Sequence, residues 1–141
     1  MDALELYLKE VRQIHDSGAA VAETSYYPAL AQLLNEIGSK LKPKVRCMVN
    51  PANRGAGIPD IGLFTADQFQ KAADLAPRQG QLPSRGVLEA KPPSQKVLEI
   101  AATEQAKKYC GKYGLVMVTN LREFLLVIQG ENAEAVPLES F

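Results

Sequence analysis

The spacing of apolar residues changes near Lys44, and this change limits the fold more than any other feature. Before it, apolar residues recur every three to four positions in two stretches, which is typical of amphipathic helices: Leu4, Tyr7, Leu8, Val11 and Ile14, then Leu30, Leu33, Leu34, Ile37 and Leu41. We therefore predict one helix that ends near Gly18 and a second with Ser25 as a candidate N-cap and Pro28 in its first turn.

After Lys44 the pattern is that of short strands separated by turns. Val45, Cys47 and Val49 alternate with polar neighbours, and four further apolar runs predict strands at 60–64, 86–90, 115–119 and 123–128. A helical region is predicted from Pro92 to Lys112, and a helical excursion within the long loop at about 67–76. This order of elements predicts an α/β fold, a central mixed β-sheet flanked by helices.

Length and composition favour one domain over residues 1–141. The chain has 141 residues, 46% of them apolar, enough for a core without metal or disulfide support. Two cysteines and a single histidine argue against a zinc site, and reduced thiols are favoured over a disulfide. Because no apolar run reaches about 18 residues and the start lacks a basic signal-peptide head, we expect no membrane contact and a cytoplasmic location.

The formal net charge of zero hides an uneven distribution. Residues 1–39 carry −4, residues 40–112 carry +7 and residues 113–141 carry −3. The basic middle is either a solvated face or a track for a phosphate backbone, so a neutral total does not exclude a nucleic-acid partner. If it is a track, the candidate DNA-binding residues are Arg54, Lys96, Lys107, Lys108 and Lys112.

Three charged residues fall where two predicted strands begin and end. Asp60 opens one strand, Glu89 closes another, and Lys91 follows two residues later, so Glu89 and Lys91 share a face about 7 Å apart while Ala90 points to the core. If the strands pair, Asp60 can face Glu89. Two carboxylates and the Ala90 carbonyl suit Mg²⁺, with Mn²⁺ as a second candidate, because hard cations prefer oxygen ligands.

These residues resemble the PD-(D/E)XK motif of restriction-endonuclease-like nucleases. Pro59-Asp60 and Glu89-Ala90-Lys91 carry the motif, and Gln105 and Tyr109 are similar to the Gln-x-x-x-Tyr element of many members of that superfamily. The segment from Glu23 to Leu30 is similar to the first-helix acidic motif in the N-terminal nuclease domains of single-chain (type ISP or type I-like) restriction–modification enzymes. With Asn50-Pro51 and residues 119–124, the resemblance spans about residues 20 to 128.

The resemblance implies a restriction-endonuclease-like fold and a metal-dependent DNA endonuclease. It implies that Asp60, Glu89 and the carbonyl of Ala90 bind the metal, that Glu23 assists, and that Lys91 is the catalytic lysine. Gln105 and Tyr109 would hold the scissile phosphate or position Lys91. Helicase or translocase and methyltransferase domains would lie outside this chain, which is either a stand-alone domain or an N-terminal piece of a larger enzyme, and cutting both strands would require self-association.

Other interpretations stay open at this point. Asp60, Glu89 and Lys91 could be solvated strand ends, Glu23 a helix-entry charge, and Gln105 and Tyr109 ordinary helix residues. The fold could also be an inactive DNA-binding or assembly module. A metal-free carboxylate pair acting on a sugar is disfavoured, because it leaves Lys91 without a role.

Overall fold

A computed structural model of the chain describes residues 2–17, 23–51, 55–71, 74, 76–130 and 135–140. The helices are Ala3–Asp16 (α1), Tyr27–Gly38 (α2), Val97–Ala101 (α3) and Glu104–Tyr113 (α4), and two 3₁₀ turns cover Glu23–Tyr26 and Ala66–Gln68. The strands are Val45–Val49 (β1), Ile61–Thr65 (β2), Val87–Ala90 (β3), Leu115–Thr119 (β4), Phe124–Gln129 (β5) and Ala135–Ser140 (β6).

The six strands form one mixed sheet in the order in which they occur along the chain. All neighbours are antiparallel except β3 and β4, which are parallel and are connected through α3 and α4. A parallel pair needs such a crossover, because a short turn cannot return the chain to the starting end of the sheet. The predicted α/β fold with a mixed central sheet is confirmed.

Two apolar cores lie on opposite faces of this sheet. One packs α1 and α2 against Ile61, Leu88 and Ala90, and the other packs α3 and α4 against strands that include Val87 and Val116. Neighbouring β3 residues enter different cores because strand side chains alternate between faces. Each fully buried Val, Leu or Ile contributes about 1.5–3 kcal/mol to folding, so the short strand β3 is held firmly from both sides.

The helix boundaries differ from prediction in two places. Ser25 is not an N-cap, since it lies inside the 3₁₀ turn Glu23–Tyr26, and α2 begins at Tyr27 with a proline in its first turn. The predicted single helical region up to Lys112 is two helices. Thr103 interrupts it, because its hydroxyl accepts a hydrogen bond from the N–H of Ala106 and caps α4.

The strand β6 was not predicted. Pro137 lies within it, and proline donates no main-chain hydrogen bond, so a proline in an apolar run argues against a strand. The sheet accommodates Pro137 because β6 is an edge strand and its pairing with β5 shifts register between Leu126 and Val127. In the predicted excursion at 67–76, the regular element among the described residues is the turn Ala66–Gln68.

The turn between β4 and β5 is anchored to the first helix rather than solvated. Leu121 is buried with φ of +77°, and its carbonyl accepts a hydrogen bond of 2.9 Å from the hydroxyl of Tyr7. This contact fixes α1 over the end of the sheet. Within the described ranges, no helix is long and apolar enough to cross a bilayer.

Candidate active site

Asp60 and Glu89 lie opposite each other on neighbouring strands. Asp60 directly precedes β2, and the antiparallel register pairs Ile61 with Leu88, so Asp60 and Glu89 are the residues that follow the last pair of the ladder. The Glu89 side chain is 7% exposed and Asp60 is half-buried. Both carboxylates also act on the hydroxyl of Tyr109, which places them in one neighbourhood at this end of the sheet.

Two hydrogen bonds hold the carboxylate of Asp60. The hydroxyl of Tyr27 donates to Oδ1 at 2.6 Å, and the main-chain N–H of Ala90 donates to Oδ2 at 2.8 Å. The second bond links the two strands just where they diverge. Tyr27 was not predicted as a site residue, because an aromatic residue on the core-facing side of α2 gives the same sequence pattern as any packed residue.

Lys91 lies beside Glu89, as the alternation of strand side chains predicts. Its Nζ is 3.6 Å from Oε1 of Glu89, and its side chain is 36% exposed. The N–H of Lys91 donates to the carbonyl of Thr119 on the parallel strand β4, which fixes the backbone beyond the end of β3. A nearly buried carboxylate is thus matched by a cation that still reaches solvent.

Tyr109 contributes a hydroxyl close to both carboxylates. It is 2% exposed, and its pKa is raised to about 12, first by burial and then by the negative charges of Glu89 and Asp60. A hydrogen bond with the Gln105 side chain opposes that rise in pKa. Tyr109 therefore stays protonated at neutral pH and can donate a hydrogen bond toward the site.

Gln105 is tied to the loop that leads to Asp60. Its Nε2 donates to the carbonyl of Ala56 at 2.9 Å. Gly57 follows with φ of +103°, and a Cβ at this position would lie 3.1 Å from Nε2 of Gln105 and 3.6 Å from the Tyr109 hydroxyl. Glycine permits both the backbone angle and the close approach of the loop to α4.

An open groove lies beside this loop and is lined partly by basic residues. Its lining comprises Gly55, Ala56, Gly57, Gln105, Lys108, Gly111 and Lys112. Gln105, Lys108 and Lys112 share one face of α4, since they are three and four residues apart. Gln105 lines the groove and is hydrogen-bonded to Tyr109, whose hydroxyl lies close to the carboxylates. The groove therefore adjoins the carboxylates.

The remaining predicted residues fall elsewhere. Lys107 is 3.5 Å from Glu104 on another face of α4, and Lys96 is exposed at the N-cap position of α3. Arg54 lies outside the described residues. Glu23 opens a 3₁₀ turn, and its side chain is not among those described.

The donor set fits a hard divalent cation. Asp60, Glu89 and the Ala90 carbonyl offer oxygens, and Mg²⁺ commonly binds one or two carboxylates and keeps several waters. No group of three or more His, Cys, Asp or Glu that could hold a metal occurs in the described part of the chain. Two carboxylates and one main-chain carbonyl are thus the oxygen donors that a cation would find here.

The similarity of this chain to a known protein lies in its three-dimensional structure. No family model matches the chain, and no curated protein matches it. A cryo-electron microscopy structure of a DrdV–DNA complex is similar, with a TM-score of 0.65 and 19% identity over 98% of this chain. The match covers 12% of the DrdV chain, so this chain spans about an eighth of that protein. Topology and comparison together show a restriction-endonuclease-like fold: a mixed β-sheet flanked by helices on both faces.

Proposed function

We propose that this chain is a Mg²⁺-dependent DNA endonuclease domain of the PD-(D/E)XK type. The observation that carries the proposal is the meeting of Asp60 and Glu89 on neighbouring strands, with Lys91 and Tyr109 beside them. Carboxylates, a lysine and a protonated tyrosine gathered at one end of a sheet are the groups that phosphodiester hydrolysis needs.

Asp60, Glu89 and the Ala90 carbonyl would hold the cation, and Mn²⁺ should substitute for Mg²⁺. When bound, the cation would supply Lewis-acid activation of water and neutralise charge on the phosphate. Glu23 would assist from the turn before α2. The remaining chemistry belongs to side chains of this chain.

Lys91 and Tyr109 would act on the phosphate itself. As water forms a new P–O bond and the bond to the leaving sugar oxygen breaks, negative charge grows on the non-bridging oxygens. The ammonium of Lys91 would orient the attacking water or stabilise that charge, and the hydroxyl of Tyr109 would donate to a phosphate oxygen. Gln105 would position the loop before Asp60 through its bond to Ala56.

The groove beside α4 would bind the DNA backbone. Lys108 and Lys112 line it, and the loop 55–57 brings main-chain groups without side-chain bulk. Lysines at this spacing can each neutralise one phosphate, which gives affinity without base reading. We therefore expect weak sequence preference and a minor role for Lys96 and Lys107, and we keep Arg54, which precedes Gly55 in the sequence, as a further candidate.

The similarity to DrdV in a DNA complex supports DNA as the substrate. We further propose that the chain is the cleavage module of a cytoplasmic restriction–modification system, resembling type ISP or type I-like enzymes. Helicase or translocase and methyltransferase domains would then act with it, and two copies would meet to cut both strands. The small share of the DrdV chain that is matched agrees with a module that works alongside other domains.

Plasmid nicking tests the proposal. Purified wild type with Mg²⁺ should convert supercoiled plasmid to open circles, and EDTA or Asp60→Ala should abolish the conversion while a gel shift shows retained DNA binding. If neither wild type nor Asp60→Ala nicks the plasmid although both bind DNA, the proposed nuclease activity is overturned. The remaining interpretation is then an inactive DNA-binding or assembly module.

A further inference from the structure

We propose that Tyr27 is a positioning residue for Asp60, an inference that rests on the proposed function of the site. Tyr27 lies within the segment 23–30 but was given no role in the site, and it approaches Asp60 from α2, on the face of the sheet opposite to α4. It would fix the plane of the carboxylate so that its remaining lone pairs point to the cation.

The contact is short and shielded. The Tyr27 hydroxyl donates to Oδ1 of Asp60 at 2.6 Å, and Tyr27 is 6% exposed. A hydrogen bond to a carboxylate is about twice as strong as one between neutral groups, and burial removes the competing water. The phenol therefore holds Asp60 through a short, shielded hydrogen bond.

The two oxygens of Asp60 are restrained by different parts of the fold. Oδ1 is held by α2 through Tyr27, and Oδ2 is held by β3 through the N–H of Ala90 at 2.8 Å. Each ionised oxygen has two acceptor positions, so one donor on each leaves one position free for a cation. The pair of bonds thus sets the orientation of the carboxylate without using up its capacity to bind.

The helix that carries Tyr27 is rigidly seated. Ala29, Leu30 and Leu33 bury their side chains in the first core together with Tyr27. Asp60 itself lies outside the regular strand, since it directly precedes β2 and follows the loop with Gly57. A bond from a packed helix would orient its carboxylate, as outer partners do for metal-binding carboxylates generally.

The test compares Tyr27→Phe with Tyr7→Phe. Tyr7 also buries a hydroxyl that donates one hydrogen bond, to the Leu121 carbonyl at 2.9 Å, but it is not bonded to Asp60. Isothermal titration of the metal-free proteins with Mn²⁺ should show affinity about tenfold weaker for Tyr27→Phe and unchanged for Tyr7→Phe. The Mg²⁺ concentration needed for half-maximal nicking should rise by the same factor, while the rate at saturating Mg²⁺ changes less.

Two more variants separate orientation from stability. 4-Aminophenylalanine at position 27 keeps a donor and should restore Mn²⁺ affinity, whereas 4-fluorophenylalanine fills nearly the same volume without a donor and should behave as Tyr27→Phe. If Tyr27→Phe does not fold, this pair alone decides the question. Equal Mn²⁺ affinity in the two would overturn the role of Tyr27.

A failure of the proposed function is recognised separately. If wild type and Asp60→Ala bind Mn²⁺ equally, the metal site at Asp60 is wrong, whatever Tyr27 does. Hydrogen exchange of the Ala90 amide, measured without metal, still tests whether Tyr27 holds Asp60 in place. Tyr27→Phe should accelerate this exchange, and Tyr7→Phe should not. In the other case, wild type binds Mn²⁺ through Asp60 while Tyr27→Phe shows the same Mn²⁺ affinity and the same Ala90 exchange rate as wild type. That result would overturn the positioning role of Tyr27 and leave the metal site at Asp60 intact.

Discussion

The ammonium of Lys91 lies 3.6 Å from Oε1 of Glu89, so the lysine and the acid of one strand end form a pair rather than two independent charges. The pair places a cation beside a carboxylate whose side chain is only 7% exposed. It also keeps the lysine next to the position where a phosphate would meet Asp60 and Glu89.

Replacement of Lys91 should abolish cleavage without abolishing DNA binding. Under the proposed mechanism, Lys91→Ala would remove the cation that stabilises charge on the phosphate, and we expect the single-turnover rate to fall about 100-fold or more. Lys107→Ala is the matched control, since Lys107 pairs with Glu104 and lies off the groove. Comparable rates for the two variants would contradict the role given to Lys91.

The groove beside α4 predicts a salt signature. Lys108→Ala and Lys112→Ala should each weaken DNA binding and reduce the slope of log K against log salt by about 0.9, because each lysine releases roughly one counterion. Fluorescence anisotropy over a series of salt concentrations measures the slope, with Lys107→Ala as the control. An unchanged slope in both groove variants would exclude the groove as the backbone track.

Gly57 and Gly55 allow a matched comparison in the loop before Asp60. Both have φ near +100°, but a Cβ at Gly55 meets open space, while one at Gly57 meets Gln105. We expect Gly55→Ala to lower the free energy of unfolding by about 1 kcal/mol, and Gly57→Ala to lower it further and slow cleavage. Urea unfolding and nicking rates check this, and equal effects would mean that the loop does not depend on contact with α4.

Tyr109 predicts a loss of stability at alkaline pH. Its pKa of about 12 in the folded protein exceeds the ordinary 10.0, so the native state holds the proton more tightly than the unfolded chain does. The free energy of unfolding should therefore fall as pH rises from about 10 towards 12. Tyr109→Phe should show a smaller fall, because Tyr7 and Cys47, whose pKa values burial also raises, remain in both proteins. If the free energy of unfolding falls equally with pH in wild type and Tyr109→Phe, the environment of Tyr109 is less buried and less negative than the structure indicates.

The sequence was sufficient for five of the six strands because their signal is local. Alternation around Cys47 and the apolar runs that end at Thr119 and Ile128 predict strands whose bounds agree with the structure within about a residue. The expectation that Asp60 can face Glu89 was conditional on pairing of their strands, and β2 and β3 do pair, in antiparallel orientation. The strand β6 was not predicted because Pro137 violates the usual strand pattern. The sheet tolerates this proline because β6 lies at its edge.

The support around the site could not be predicted, because it depends on distant contacts. Tyr27 and Asp60 are 33 residues apart, and Gln105 and Ala56 are 49 apart, so no periodicity connects them. Likewise, the sequence predicts the same DNA-binding role for all four of these lysines: Lys96, Lys107, Lys108 and Lys112. The angular position of each residue on α4 decides that Lys108 and Lys112 line the groove while Lys107 turns to Glu104.

The most direct test of the central claim is the rate of plasmid nicking by wild type and Glu89→Gln, measured side by side with Mg²⁺. Glutamine keeps the size of Glu89 and removes its charge, so folding and DNA affinity can be matched by thermal unfolding and gel shift. We predict Mg²⁺-dependent nicking by wild type and a rate at least about 100-fold lower for Glu89→Gln. Nicking by Glu89→Gln at the wild-type rate would contradict the assignment of this site as the catalytic centre.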